Sequence, residues 1–81
     1  MKPFLYALST CFHCKRTKKW LNDNNIDYDF VDVDLAEEKE KRTLVEKVKE
    51  MTGAAQFPVV TVEDDYVVGF NEEGLKKLLG V

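Results

Sequence analysis

Two cysteines, Cys11 and Cys14, are the only thiols in this 81-residue chain, and Phe12 and His13 stand between them. Thiols at this spacing can close a disulfide, exchange it with another molecule, or contribute half of a metal site. Their context favours redox use. The apolar run Phe4-Leu5-Tyr6-Ala7-Leu8 reads as a short buried strand, Ser9-Thr10 supply a turn and an N-cap, and a helix begins near Cys11 or Phe12. A thiol at a strand-to-helix junction meets unsatisfied backbone N–H groups and the positive helix end, which favour thiolate over thiol. On the first helical turn the second sulfur lies back toward the first. Cys11 is therefore expected to be exposed and to attack, and Cys14 to be more enclosed and to resolve the mixed disulfide.

A zinc site needs four ligands, and the chain offers one cysteine pair and one histidine within the same short loop. No metal site is expected within one chain. Phe12, His13 and Lys15 are candidate tuning residues. An imidazolium at His13 would favour the Cys11 thiolate and make the disulfide more oxidising; the plainer reading is an exposed residue that shapes a docking surface, and the two stay open. Lys15, Arg16, Lys18 and Lys19 form one cationic cluster in a chain of net charge −3. They could promote thiolate formation or steer an anionic partner, although exposed lysines on a helix are commonplace.

The remaining elements must hold this loop in place. Cys14, Thr17, Trp20 and Leu21 share one face of the first helix, which Asn22-Asp23-Asn24-Asn25 terminates. Residues 27–33 read as a second strand covered on both faces or carrying a wobble. Asp34 and Glu37 have the layout of a capping box, opening a charged helix that runs to about Thr52 and stops at Gly53. Its apolar stripe is Leu44, Val45, Val48 and Met51, and its charges form i,i+4 pairs such as Glu37–Lys41. Val59–Val62 and Tyr66–Val68 form a hairpin across Glu63-Asp64-Asp65. Asn71 caps a final helix, Glu72 to Leu79.

The order β-α-β-α-β-β-α predicts an α/β fold: a four-stranded mixed sheet flanked by three helices, in a single domain over residues 1–81. The acidic balance argues against nucleic acid as a partner. No apolar stretch approaches the roughly twenty residues of a membrane span, and no targeting segment is evident. A cytosolic location follows by default, where a structural disulfide is not expected.

Across nearly its whole length the sequence resembles the glutaredoxin family of the thioredoxin-like fold. The carriers are Leu5-Tyr6-Ala7-Leu8-Ser9-Thr10-Cys11-Phe12-His13-Cys14, Phe30-Val31-Asp32-Val33-Asp34-Leu35, Gln56-Phe57-Pro58-Val59-Val60 and Gly69-Phe70-Asn71. The resemblance implies a cis bond before Pro58, a Phe57 backbone free to pair with an extended substrate segment, and a groove lined opposite by Gly69, Phe70 and Asn71. It also implies a monomeric thiol–disulfide oxidoreductase with no bound cofactor beyond its own Cys11–Cys14 disulfide.

Departures from the family pattern bear on the partner. Leu8 stands where glutathione-using relatives carry Lys, Gln56-Phe57 replaces Thr-Val, and Val68-Gly69-Phe70-Asn71 replaces a Gly-Gly pair. The Gly-Phe pairing is more similar to redoxins that supply ribonucleotide reductase. The expected function is reduction of protein disulfides, ribonucleotide reductase among the clients, with recharging by a thioredoxin-reductase-like or ferredoxin-linked reductase. The alternatives are glutathione-dependent deglutathionylation, with glutathione as co-substrate, and, in another class, an iron–sulfur cluster carrier or a zinc-binding module.

Overall fold

The structure is a computed structural model that describes residues 2–81. Strand β1 (Phe4–Ala7) leads into helix α1 (Phe12–Asp23), then β2 (Asp29–Asp32), a 3-10 turn (Val33–Leu35) and α2 (Glu38–Thr52). The hairpin β3 (Val59–Val62) and β4 (Asp65–Val68) precedes α3 (Glu72–Leu79). The four strands form one sheet in the order β2-β1-β3-β4, with β1–β2 parallel and the other two pairings antiparallel. This is the expected mixed sheet and helix order, and it is the thioredoxin-like fold.

Strand alternation sorts the core to two sides. Leu5, Ala7 and Val60 pack with Cys14, Trp20 and Leu21 of α1 and Leu75 of α3. Tyr6 and Val59 face the opposite way, against Val48 of α2, with Leu44 and Met51 partly buried beside them. The helix carrying the thiols is thus seated on the larger cluster. Its predicted inner face, Cys14, Thr17, Trp20 and Leu21, is the buried set.

Several local expectations change. The second strand covers only Asp29–Asp32 on a sheet edge, and its Phe30 is exposed rather than covered. Val33, expected in that strand, is buried in the 3-10 turn. The capping box at Asp34 and Glu37 does not form: Glu37 is the N-cap of α2 and makes no side-chain cap bond. Asp34 instead accepts hydrogen bonds from the backbone N–H of Ser9, at 2.8 Å, and from its hydroxyl. The reason is register. Ala7 pairs with Asp32 in the parallel ladder, and the same offset of 25 continues past the strand ends to Ser9 and Asp34. The carboxylate thereby satisfies an N–H that the ended ladder leaves over. Glu37 and Lys41 share a backbone hydrogen bond, not the expected ion pair; the Lys41 charge acts instead on Asp34. The hairpin turn is shorter than expected, because Asp65 pairs with Val62 and only Glu63-Asp64 lie between the strands.

The later helix ends follow expectation. Gly53, in the left-handed region at φ 88, closes α2. Asn71 caps α3 by accepting the Gly74 N–H at 3.1 Å.

Candidate active site at the start of helix α1

The N-cap of α1 is Cys11 itself, not Ser9 or Thr10. Its sulfur accepts the Cys14 N–H at 3.3 Å, occupying the position an Asn or Ser oxygen takes in an ordinary cap. Backbone bonds from Cys11 N–H to the Leu8 carbonyl (3.2 Å) and from Lys15 N–H to the Cys11 carbonyl (3.1 Å) fix the turn on both sides. The Asp34–Ser9 bonds tether the same turn to the far end of β2. Bonding to Ser9 holds the Asp34 carboxyl below the ordinary carboxylate value, with Lys41 adding a smaller pull in the same direction.

The two thiols are free and unequal. Cys11 is half-buried and Cys14 fully buried. Burial, then hydrogen bonding to Cys11, push the Cys14 thiol up to about 12. The Leu8 N–H, 3.4 Å from the Cys14 sulfur, and the Lys18 charge act the other way with smaller effect. Cys14 therefore holds its proton through the neutral range. The arrangement can expose one sulfur to an incoming disulfide while keeping a second in reserve behind it.

The sequence-predicted residues outside the turn lie on two segments, 57–58 before β3 and 69–71 after β4. The Phe57–Pro58 bond is cis, as expected, and Pro58 is buried. The Pro58 carbonyl accepts the Gly69 N–H at 2.8 Å, and Gly69 takes φ 75, so the two loops bearing Phe57 and Phe70 are tied together. Phe57, Phe70 and Cys11 all pack against the α1-side cluster. Asn71 is exposed, and its side-chain oxygen is engaged as the α3 cap. His13 is exposed and edge-on to Phe12, with ring centroids 5.8 Å apart; among the described residues its imidazole makes no hydrogen bond to either sulfur. Lys15 is exposed and makes no ion pair among the described residues.

Sequence reasoning missed two side chains here. Lys18 pairs with Asp32 at 3.0 Å and lies 4.2 Å from the Phe30 ring centroid, so this member of the cationic cluster is tied to β2. Arg16 lies over two rings, 4.9 Å from the centroid of Phe70 and 5.8 Å from that of Phe12. The i,i+4 spacing of Phe12 and Arg16 was a local signal for one of these contacts; Phe70 gave none. Among the described residues, no group of three or more His, Cys, Asp or Glu side chains is arranged to hold a metal ion, and no helix is long and apolar enough to cross a membrane.

Comparison with known proteins agrees with the geometry. The glutaredoxin family model matches residues 4–67. This chain belongs to the glutaredoxin family. It is 38% identical over 74 residues to the glutaredoxin-like protein NrdH of Lactococcus lactis, covering 91% of this chain and 94% of the relative. Glutaredoxin from Archaeoglobus fulgidus superimposes with a TM-score of 0.92 at 40% identity, over 96% of this chain and 85% of that one. Methanoredoxin from Methanosarcina acetivorans gives 0.91 at 40% identity, over 99% and 85%. As a glutaredoxin-like redoxin, the protein has thiol–disulfide oxidoreductase activity, and its cysteines have the Cys-x-x-Cys spacing of a redox pair.

Proposed function

We propose that the protein reduces disulfides of other proteins, with Cys11 as attacking and Cys14 as resolving thiol. One observation carries this assignment: the half-exposed Cys11 sulfur caps α1, while Cys14 behind it is fully buried and holds its proton. The Cys11 thiolate attacks one sulfur of the client disulfide, forming a mixed disulfide and releasing the client's other sulfur as a thiolate that takes up a proton. Cys14 then loses its proton and attacks the Cys11 sulfur, releasing the second client thiol and leaving Cys11–Cys14 oxidised. Two electrons pass to the client, and an external reductant restores the dithiol.

The first step prepares the second. Once the Cys11 sulfur is held in a mixed disulfide it carries no charge, which removes one of the causes that raise Cys14. Burial remains, opposed by the Leu8 N–H and the Lys18 charge. Phe57 and Pro58 offer the extended edge for a client segment, with Gly69, Phe70 and Asn71 opposite. Phe12, His13 and Lys15 border the attacking sulfur.

Leu8, Gln56-Phe57 and Gly69-Phe70 favour a reductase enzyme over glutathione as the source of electrons. Similarity to NrdH supports ribonucleotide reductase among the clients. The test offers the oxidised protein glutathione with glutathione reductase in one arm, and thioredoxin reductase or a ferredoxin-linked reductase in the others. Rapid reduction by an enzyme and slow reduction by glutathione is the expected result. Rapid reduction by glutathione alone would reverse the assignment of the donor.

A further inference from the structure

The four cations of α1 are not equivalent. Lys18 is paired with Asp32 and Lys19 with Asp23, whereas Lys15 and Arg16 have no ion-pair partner among the described residues. Of the two, Arg16 is held: its guanidinium contacts the rings of both Phe12 and Phe70. A planar cation braced by aromatic rings is oriented in advance, so less side-chain freedom is lost when it binds a carboxylate. Phe12 adjoins Cys11 in sequence and Phe70 follows the turn tied to Pro58. Arg16 therefore stands beside the place where a client's sulfur must arrive.

The two rings differ in their surroundings. On the Phe70 side, Arg16 and Phe70 line a surface cavity of about 300 Å³ with Lys19, Trp20, Asp23 and Glu72. Asp23 is already neutralised by Lys19 at 2.8 Å, and Glu72 would repel a second acid. Phe12 is not among the residues that line this cavity. Phe12 is also 67% exposed, which leaves an apolar ring for a ligand to cover. Glutathione brings carboxylates but no apolar side chain next to its cysteine. A protein segment can bring both.

We propose that Arg16, braced by Phe12 and Phe70, is a specificity-determining residue that selects client segments carrying an acidic side chain and an apolar side chain next to the reactive cysteine. The inference rests on the assignment of Cys11 as the attacking thiol. Recognition is a charge-assisted hydrogen bond from the guanidinium to the client carboxylate on the Phe12 side, with the apolar neighbour lying on the Phe12 ring. It acts on encounter and docking of the first step, leaving the exchange chemistry unchanged.

The test uses pre-reduced protein and short peptides whose cysteine is joined by a disulfide to 2-nitro-5-thiobenzoate, so that the first attack releases a coloured thiolate. Three peptides differ at one flanking position, Glu, Gln or Lys, beside a constant Leu; glutathione carrying the same reporter is a fourth substrate. The intact protein is expected to react about 3- to 5-fold faster with the Glu peptide than with the Gln peptide, an advantage that salt diminishes. Arg16→Met should abolish the difference, Arg16→Lys should retain part of it, and Arg16→Glu should transfer the preference to the Lys peptide. Equal losses on all four substrates would mean that Arg16 is only structural, and an Arg16 effect confined to the glutathione substrate would mean that it reads a small thiol; either overturns the proposal. Failure of the intact protein to release the reporter from any substrate would instead refute the assignment of Cys11.

Discussion

Helix α1 buries Cys14, Thr17, Trp20 and Leu21 among its twelve residues, whereas α2 buries Val48 alone among its fifteen. The first sits on the larger core cluster together with α3, the second on the smaller one across the sheet. Both helices have strong stop signals, but only α1 has a side-chain cap at its start, and that cap is the Cys11 sulfur. The difference shows where rigidity is placed. A thiol pair that must exchange bonds in a fixed order needs its helix start held, and α1 is held by burial, by its capping sulfur and by the Asp34–Ser9 tether. Helix α2 chiefly covers the other face of the sheet; its links to the site are Phe57, which also packs on its core cluster, and the Lys41 charge on Asp34.

Truncating the two anchors measures this contrast most strongly. Leu21→Ala should cost about 3 kcal/mol of unfolding free energy and Val48→Ala about 2, read from denaturant midpoints at constant slope. Equal or reversed losses would break the contrast. Hydrogen exchange on the intact protein should show α2 amides opening before those of α1.

The next effect is a pH dependence confined to the α1 side. Cys14 is raised from an ordinary 9.0 to about 12 in the folded dithiol. Between those values the unfolded chain has released a proton that the folded protein keeps, so rising pH favours unfolding. This contribution is fully present below 9.0 and drains away as pH climbs toward 12. Reduced protein should lose stability from pH 9 upward, and the reduced Cys14→Ala variant should lose less over the same range. Parallel pH profiles would contradict the account of Cys14.

The smallest change concerns the start of α2. Glu37 has extended backbone angles suited to a cap but makes no cap bond. Glu37→Asp should therefore stabilise the protein by up to about 1 kcal/mol and slow exchange in the first turn of α2, without altering thiol reactivity. Altered reactivity would show that α2 communicates with the site.

Features written in local spacing were legible from the sequence. The buried face of α1, the Asn71 cap, the hairpin and the Gly53 stop each depend on residues a few positions apart. Several misreadings share one cause: a side chain whose partner lies across the fold. Asp34 resembles a helix cap by its neighbours, but parallel register delivers it to Ser9. Lys18 belongs to a run of exposed cations by sequence, but Asp32 and Phe30 engage it. Arg16 lies 54 positions from Phe70 and meets it only because the Gly69 turn folds back beside α1. Cys11 as its own helix cap was hidden because Ser9 and Thr10 are the usual capping residue types.

The central claim is the unequal division of labour between two sulfurs, and trapping tests it most directly. Cys14→Ser and Cys11→Ser variants would each be mixed with a protein or peptide disulfide and analysed by intact mass under non-reducing conditions. Cys14→Ser should accumulate a one-to-one mixed disulfide through Cys11, and Cys11→Ser should remain unmodified over the same interval. Adduct formation by Cys11→Ser at a comparable rate would show that the buried sulfur attacks unaided, contradicting the account.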